Sequence, residues 1–266
     1  MSKSYSRFLA SLVTGLTGFQ RAERAERNRL LVRQLLAARH RIETPRGPIT
    51  LVCTDRREVH YAHHFFDREP SLLKWIDGFE TPCTYWDVGA NTGIYALYAA
   101  LDPAVKVHAF EPLAATYAAL CTNIQENAAD PRIDALCLGF FDRTVIGELR
   151  TDNAEAGSAH HDFGAGGAAA EGGPKFRQSA LTFSIDDFRR LYEVAAPNYL
   201  KIDVDGVEEE ILRGAAETLR DPAVRSVLVE IVGEDARGQR MVNLLAGHGF
   251  AIDDAQSDAY NVVFTR

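Results

Sequence analysis

The chain has 266 residues, of which 46% are hydrophobic and 25% are charged. This balance is ordinary for a globular protein and excludes a disordered chain, a fibre and a disulfide-stapled miniprotein. Its 29 basic and 37 acidic residues give a formal charge of −8, which argues against nucleic acid held on a large basic face.

Residues 1–46 are predicted to form an N-terminal helical arm. The apolar run FLASLVTGLTGF follows a basic start, as in a signal peptide, but glycines interrupt it and it is too short to span a bilayer. The next run, QRAERAERNRLLVRQLLAARHR, predicts an amphipathic helix. The favoured interpretation is that the arm packs on the domain or on a second subunit of a homodimer. Contact with a membrane surface through the arginines is the first alternative, and secretion is the second.

The stretch after the arm predicts a strand, GPITLVCTD, and then a largely helical segment, REVHYAHHFFDREPSLLKWIDGF. Within that segment His60, His63, His64 and Asp67 recur at the spacing of one helical face, which could hold a metal ion. A structural role is the preferred interpretation of these residues. The cysteines at 53, 83, 121 and 137 lack the paired spacing of a zinc site, so we expect reduced thiols and a cytoplasmic setting.

From residue 84 onward, short apolar runs alternate with helical stretches. The runs are TYWDVGA, VKVHAFEP, IDALCLGF, NYLKIDVDG, SVLVEIVG, FAIDD and NVVFTR. This alternation predicts an α/β domain over 47–266, with a mostly parallel sheet and helices on both faces. The last two runs have no helix between them, so one of these strands is expected to be antiparallel.

Residues 152–174 interrupt the alternation with a segment dense in glycine and alanine, between a predicted hairpin, TVIGELRT, and a predicted strand, FRQSALTFS. The segment is predicted to be a flexible insertion, either a plain surface loop or a lid over bound substrate. His160 and His161 lie in it, and we take His161 as a candidate to accept a proton from the substrate. The alternative is that both histidines are solvent-exposed.

A glycine turn carries the strongest functional signal. The run from Asp87 to Gly93 ends one strand and opens a helix, with Gly89 allowing close approach of a ligand to the backbone. Glu111 ends the next strand, eighteen residues after Gly93, where an acid can accept hydrogen bonds from ribose hydroxyls. The turn therefore predicts a nucleotide site.

The spacing of this turn favours S-adenosylmethionine over a dinucleotide. A dinucleotide site has the pattern G-x-G-x-x-G, whereas this turn reads G-x-x-x-G and follows Asp87. We expect a carboxylate there to repel pyrophosphate and to suit a cationic ligand. The alternatives are a nicotinamide-dinucleotide oxidoreductase and a methyltransferase-fold scaffold without activity.

Four motifs appear in order: DVGANTGIYALYAA, AFEP, SIDDF and YLKIDVDGVEEEILRG. Together they resemble the FkbM family of S-adenosylmethionine-dependent methyltransferases, over residues 47–252. The resemblance implies a class I methyltransferase (Rossmann-like) fold with a seven-stranded sheet, S-adenosylmethionine as cofactor and O-methylation. It also implies a role for Asp87, Gly89, Asn91 and Gly93 at the methionine end of the cofactor and for Glu111 at the ribose. This chain departs from the family pattern at Asp205 and Val207.

The predicted acceptor is a hydroxyl of a sugar, glycan or secondary metabolite, with no nucleic acid as partner. Asp203, Asp205 and Glu230 follow two neighbouring strands, so they are expected at the rim near the methyl group. Asp203 and Glu230 are the candidates to orient the hydroxyl or take its proton. Binding of a divalent metal, which is not favoured, and helix capping by Asp205 are the alternatives.

Three further residue groups complete the predicted site. Phe140 is expected to border the adenine, and Asp142 is a second candidate for cofactor contact at that strand end. Glu208, Glu209 and Glu210 open the next helix, where acids suit the helix dipole. Only Glu208 matches a family position, and the other two are expected to be solvated.

Overall fold

The computed structural model describes residues 3–54, 56–151, 162–163, 176–204, 206–232 and 236–266. Apart from 162–163, the insertion predicted at 152–174 lies outside the described residues, as do His160, His161 and Asp205. The chain forms two compact units, Met1–Arg39 and His40–Arg266.

The first unit is a pair of helices, α1 (Lys3–Thr17) and α2 (Ala22–Leu35). They pack through small and polar side chains, because the Arg29 guanidinium donates to the Thr17 hydroxyl at 2.8 Å and Ala25 is buried. No helix in the described part of the chain is both long and apolar enough to cross a bilayer.

The helix predicted through residue 41 ends earlier than expected. Helix α2 stops at Leu35, and residues Ala38–Thr44 form strand β1, which pairs with β2 (Gly47–Cys53) in a two-stranded sheet. Within β1 the side chain of Ile42 is buried while its two neighbours are not, which is a strand pattern rather than a helical one. The Thr44 hydroxyl donates to the carbonyl of Gly47 at 2.6 Å and closes the turn.

The segment after β2 is helical, as predicted, but it is broken into three pieces: α3 (Arg56–His63), α4 (Phe65–Arg68) and α5 (Pro70–Asp77). Because α3 ends at His63, the predicted face of histidines and Asp67 is split between two helices. The His60 and His64 rings lie 4.4 Å apart, and the His63 ring lies 4.1 Å from that of His40. Within the described residues, no three His, Cys, Asp or Glu side chains are grouped so as to hold a metal ion.

The main sheet has seven strands in the order β12-β13-β11-β10-β3-β4-β5. In chain order they are β3 (Cys83–Val88), β4 (Val105–Phe110), β5 (Ile133–Leu136), β10 (Tyr199–Ile202), β11 (Ser226–Glu230), β12 (Ala251–Ile252) and β13 (Asn261–Thr265). The pairings from β11 through β5 are parallel, and β13 is antiparallel to both β11 and β12. The expected antiparallel strand is therefore the last one.

Helices cover both faces of this sheet. They are α6 (Ile94–Ala99), α7 (Ala114–Glu126), α8 (Ile185–Tyr192), α9 (Glu208–Arg213) and α10 (Ala236–Gly247), with a 3₁₀ turn at Thr218–Arg220. Successive strand residues point to opposite faces, and the adjacent residues Tyr85 and Trp86 belong to two separate buried clusters. Sheet order and layering confirm the class I methyltransferase, Rossmann-like fold that the resemblance implied.

A second, four-stranded sheet stands beside the carboxyl end of β5. Its strands are β6 (Gly139–Phe140), β7 (Val145–Thr151), β8 (Asp162–Phe163) and β9 (Phe176–Phe183), in the order β6-β9-β7-β8. The pairing of β7 with β9 is antiparallel. The parallel pairing of β6 with β9 has no local sequence signal, because the two strands are far apart in the chain.

Candidate cofactor site

The glycine turn between β3 and α6 adopts a backbone that explains its residues. Gly89, Asn91 and Gly93 have φ angles of 81°, 50° and 83°, in the left-handed region that favours glycine and asparagine. A Cβ atom on Gly89 would lie 1.9 Å from the carbonyl oxygen of Asp203. The turn therefore contacts the end of strand β10 backbone to backbone, which a larger residue would prevent.

Glu111 is buried directly behind this turn, with 6% of its surface exposed. Its Oε2 accepts the backbone N–H of Asn91 at 3.1 Å, and its Oε1 accepts that of Leu113 at 2.8 Å. Burial raises the pKa of Glu111 to about 7, although the two N–H groups oppose the shift. A carboxylate has about four acceptor sites, so two remain for hydroxyl donors of a ligand.

A cleft opens above the turn at the carboxyl ends of the strands, and five of the predicted residues line it: Gly89, Asn91, Glu111, Phe140 and Asp203. The apolar part of the lining comprises Val88, Phe110, Pro112, Leu138, Leu149, Val204 and Val207. The Phe140 ring packs edge-to-face on the ring of Phe110, with centroids 4.7 Å apart. The cleft thus joins an apolar wall, suited to a flat base, to an acid placed for a ribose.

A family profile described as "Methyltransferase FkbM domain" matches residues 87–252, which include the turn, the acid and the acidic strand ends of this cleft. The chain belongs to the FkbM methyltransferase family.

Two curated proteins are similar to this FkbM domain. The 31-O-demethyl-FK506 methyltransferase FkbM of Streptomyces tacrolimicus is 31% identical over 190 residues, which are 63% of this chain and 72% of that protein. The hexuronic acid methyltransferase AglP of Haloferax volcanii is 30% identical over 146 residues, 55% of this chain and 54% of that protein. The chain thus spans about half the length of the second relative.

Among solved structures, the methyltransferase FkbM from Methylobacillus flagellatus KT matches 77% of this chain and 50% of its own length, with 15% identity and a TM-score of 0.48. A SAM-dependent methyltransferase from Agrobacterium tumefaciens matches 86% of this chain and 70% of its own, with 10% identity and a TM-score of 0.47. Because both TM-scores are below 0.5, the fold is assigned from the strand order of the main sheet and not from these two structures.

Asp87, the acid that begins the FkbM turn motif, does not line the cleft. It is 1% exposed, and the ammonium of Lys201 lies 3.1 Å from its Oδ1. Burial raises the pKa of Asp87, while Lys201 opposes that rise. Asp203, by contrast, lines the cleft; its carboxylate also lies 3.1 Å from the Lys201 ammonium, and its side chain is 27% exposed.

One more acidic residue, from the helical segment before β3, lies near Asp203 and Lys201. Glu69, between α4 and α5, has 14% of its side chain exposed, and the Arg68 guanidinium donates to its Oε1 at 3.4 Å. Burial and then the charge of Asp203 raise the pKa of Glu69, against Lys201 and Arg68. Glu69 and Lys201 are the two charged residues of the site that sequence reasoning missed. A lone lysine inside the apolar run NYLKIDV was the available signal for Lys201.

The remaining predicted residues lie around the cleft without lining it. Gly93 precedes α6, and a Cβ there would lie 2.3 Å from Leu120 Cδ1, so its described role is close packing of α6 on α7. Glu230 ends β11, the strand next to β10, and Asp142 follows β6 beside Arg143.

The acids that open α9 differ from expectation. Glu209, predicted to be solvated, is 3% exposed because Arg240 of α10 donates two hydrogen bonds to its carboxylate, both at 2.8 Å. Glu210 is half-buried, with Arg237 donating to its Oε2 at 3.4 Å. The two arginines come from a helix about thirty residues further along the chain, so the spacing of local residues could not reveal them.

Proposed function

We propose that this protein transfers a methyl group from S-adenosylmethionine to a hydroxyl of a sugar, glycan or secondary metabolite. The observation that carries the proposal is Glu111, a buried acid with two free acceptor sites, set at the turn of an FkbM domain. The names of the two curated relatives, a 31-O-demethyl-FK506 methyltransferase and a hexuronic acid methyltransferase, support an oxygen acceptor.

The residues of the cleft fit this cofactor. Glu111 would hold the ribose hydroxyls, Phe140 would border the adenine, and the backbone of Gly89 and Asn91 would approach the methionine end. Asp203 presents a carboxylate on the same wall, which suits a cationic ligand. When bound, S-adenosylmethionine supplies a methyl group already activated by its sulfonium.

Asp203 is the acid best placed to act on the acceptor, since it is the predicted catalytic residue that lines the cleft. It would orient the acceptor hydroxyl and accept its proton. Glu230 ends the neighbouring strand and would assist from the same edge of the sheet. His161 lies outside the described residues, and its role stays a prediction.

Calorimetric titration tests the cofactor assignment. We expect S-adenosylmethionine and S-adenosylhomocysteine to bind with micromolar affinity and NAD not to bind. Glu111→Ala should weaken S-adenosylhomocysteine at least tenfold, because a buried acceptor of two ribose hydroxyls is lost. Binding of NAD, or unchanged affinity in the variant, would contradict the proposal.

The acceptor is tested separately, by mass spectrometry of metabolites and glycans from a deletion strain. We expect one compound to lose a single methyl group and to regain it when the purified enzyme and S-adenosylmethionine are added. Restoration by an Asp203→Asn variant at the wild-type rate would contradict the assignment of Asp203.

We also propose that the helical arm contacts an anionic membrane surface. Five apolar residues of α1 are exposed at the spacing of one helical face: Tyr5, Phe8, Leu9, Leu12 and Leu16. Residues 1–39 carry eight basic and two acidic side chains, a formal charge of +6. That charge favours an anionic surface over a second copy of the arm, which would carry the same sign.

A further inference from the structure

Lys201 is a lysine in the middle of a fully buried strand. It belongs to β10, whose four residues are all buried, and its own side chain is 2% exposed. Burying an ammonium without partners is strongly unfavourable, so the position has to be explained by what surrounds the charge.

Three acceptors surround the Lys201 ammonium: two lie at the end of β3 and in the turn that follows it, and one follows β10, two residues after the lysine. Its Nζ lies 3.1 Å from Asp87 Oδ1 at the end of β3 and 3.1 Å from Asp203 Oδ2 after β10. It donates to the carbonyl oxygen of Gly89, in the glycine turn, at 3.4 Å. The ammonium therefore has two ion pairs and one hydrogen bond, which together offset the cost of burying its charge.

The glycine turn and the residues that follow β10 form one wall of the cleft. Gly89 and Asp203 both line it, and the backbones at these two residues approach so closely that a Cβ on Gly89 would overlap the Asp203 carbonyl oxygen. Lys201 joins them from the buried side. Any movement of the turn relative to Asp203 would therefore break at least one bond to the ammonium.

We infer that Lys201 is a positioning residue, which fixes the glycine turn and the Asp203 carboxylate relative to each other so that the cleft is preorganised for its ligand. The inference rests on the proposed function in that the ligand is taken to be an S-adenosyl compound. Lys201 is buried and does not line the cleft, so it acts through its contacts with Gly89 and Asp203 rather than on the ligand. Lys201 also neutralises one of the two carboxylates beside it. The group formed by Asp87, Asp203 and Lys201 therefore has a net charge of −1.

Electrostatics agree with a permanently charged lysine. Burial alone lowers the pKa of Lys201, but the carboxylates of Asp203, Asp87 and Glu69 outweigh that effect and hold the pKa above its ordinary value. The ammonium should then stay charged over the whole pH range in which the protein is folded.

A variant that keeps the net charge of this group unchanged shows whether Lys201 acts by positioning the turn and Asp203 or only by neutralising a carboxylate. Lys201→Met alone leaves Asp87 buried without a counter-ion and is expected to destabilise the fold. The double variant Asp87→Asn/Lys201→Met removes that carboxylate and keeps the net charge of the group at −1. We expect it to fold and to bind S-adenosylhomocysteine at least tenfold more weakly than the wild type, as measured by calorimetry.

Lys106→Met is the matched control. Lys106 lies in β4 of the same sheet, and its ammonium is 3.1 Å from Asp134 Oδ2, but this pair is about half-exposed and outside the cleft. We expect its affinity for S-adenosylhomocysteine to equal that of the wild type. A folded double variant with wild-type affinity would overturn the inference, and so would a double variant that fails to fold, since Lys201 would then serve stability alone.

A coupling measurement gives a readout that a purely structural lysine would not change. If Lys201 acts through Asp203, Asp203→Asn should weaken S-adenosylmethionine binding less in the double variant than in the wild-type background. Equal losses in both backgrounds would contradict the inference. Absence of S-adenosyl-ligand binding by the wild type would instead contradict the proposed function, so the two failures are distinguishable.

Discussion

Glu111 combines burial with a role that needs its negative charge. Its pKa is raised from an ordinary value of 4.5 to about 7 by burial, so without ligand the folded protein holds this proton more tightly than the unfolded chain does. The stabilising contribution of the protonated form is complete below the unfolded pKa and is lost as the pH rises through 7. Ribose hydroxyls would donate to the ionised carboxylate, so ligand binding and ionisation should be linked.

We therefore predict that affinity for S-adenosylhomocysteine rises with pH, by roughly tenfold or more between about pH 5.5 and pH 8. Binding near pH 7 should release protons, which calorimetry in buffers of different ionisation enthalpy measures. Glu111→Gln should bind weakly at every pH and release none from this site. A wild-type affinity that stays constant over the range would contradict the linkage.

The charged residues in and behind the cleft show which residue roles could be predicted from the sequence. Gly89, Asn91, Glu111 and Asp203 were predicted from local spacing and the ends of strands, and all four line the cleft. Lys201 was missed because two of its three partners, Asp87 and the Gly89 carbonyl, lie at the end of another strand, which only the folded sheet brings next to it. For the same reason the sequence placed the charge of Asp87 beside the ligand, whereas the structure buries it against the lysine.

At the level of secondary-structure elements, the turn between β10 and α9 contributes Asp203 and Val204 to the cleft lining. The Glu208 side chain stabilises this turn. Glu208 Oε1 accepts the backbone N–H of Gly206 at 2.9 Å and that of Val204 at 3.3 Å. Its Oε2 accepts from the Arg237 guanidinium of α10 at 3.2 Å. The buried side chain of Glu208 therefore links helices α9 and α10 to the end of strand β10.

Removing this acceptor should weaken both the fold and the site. We predict that Glu208→Ala lowers the free energy of unfolding by about 2 kcal/mol, since two N–H groups and one guanidinium lose their partner. Glu208→Gln should lose less, because its amide oxygen can still accept. Urea denaturation measures both variants, with the exposed Glu217→Ala as control, for which a change within about 0.5 kcal/mol is expected. Equal stability of Glu208→Ala and the control would contradict this account.

Helices and strands could be predicted where the length of a segment and its pattern of apolar residues indicated the same type of element. The parallel strands were recognised because each is a short apolar run bounded by an acid or a glycine, and the helices because apolar residues recur in them. Strand β1 was misread because RHRIET follows a helical run without a strong breaker, and only its pairing with β2 decides its form. The pairing of β6 with β9 was likewise inaccessible, as it joins distant segments.

For the whole molecule, charge is divided unevenly along the chain. Residues 1–39 carry a formal +6 within a protein whose total is −8, so the remainder is strongly acidic. Within the first unit, α1 uses Thr17 and its neighbours to pack on α2, and its apolar residues are exposed. A basic segment with an exposed apolar helix face has the two properties that bind a protein to the surface of an anionic bilayer.

We predict that the full-length protein sediments with vesicles containing anionic phosphatidylglycerol, but not with vesicles of phosphatidylcholine alone, and that high salt weakens this binding. Phe8→Ser/Leu12→Ser/Leu16→Ser should abolish it, because the apolar face is removed while every basic residue is kept. Ile146→Ser is the matched control, since Ile146 is also exposed, at 71%, but lies in β7. Wild-type protein that stays in the supernatant with anionic vesicles would contradict the prediction. A dimer seen by light scattering and lost in the triple variant would assign the apolar face to a second copy instead.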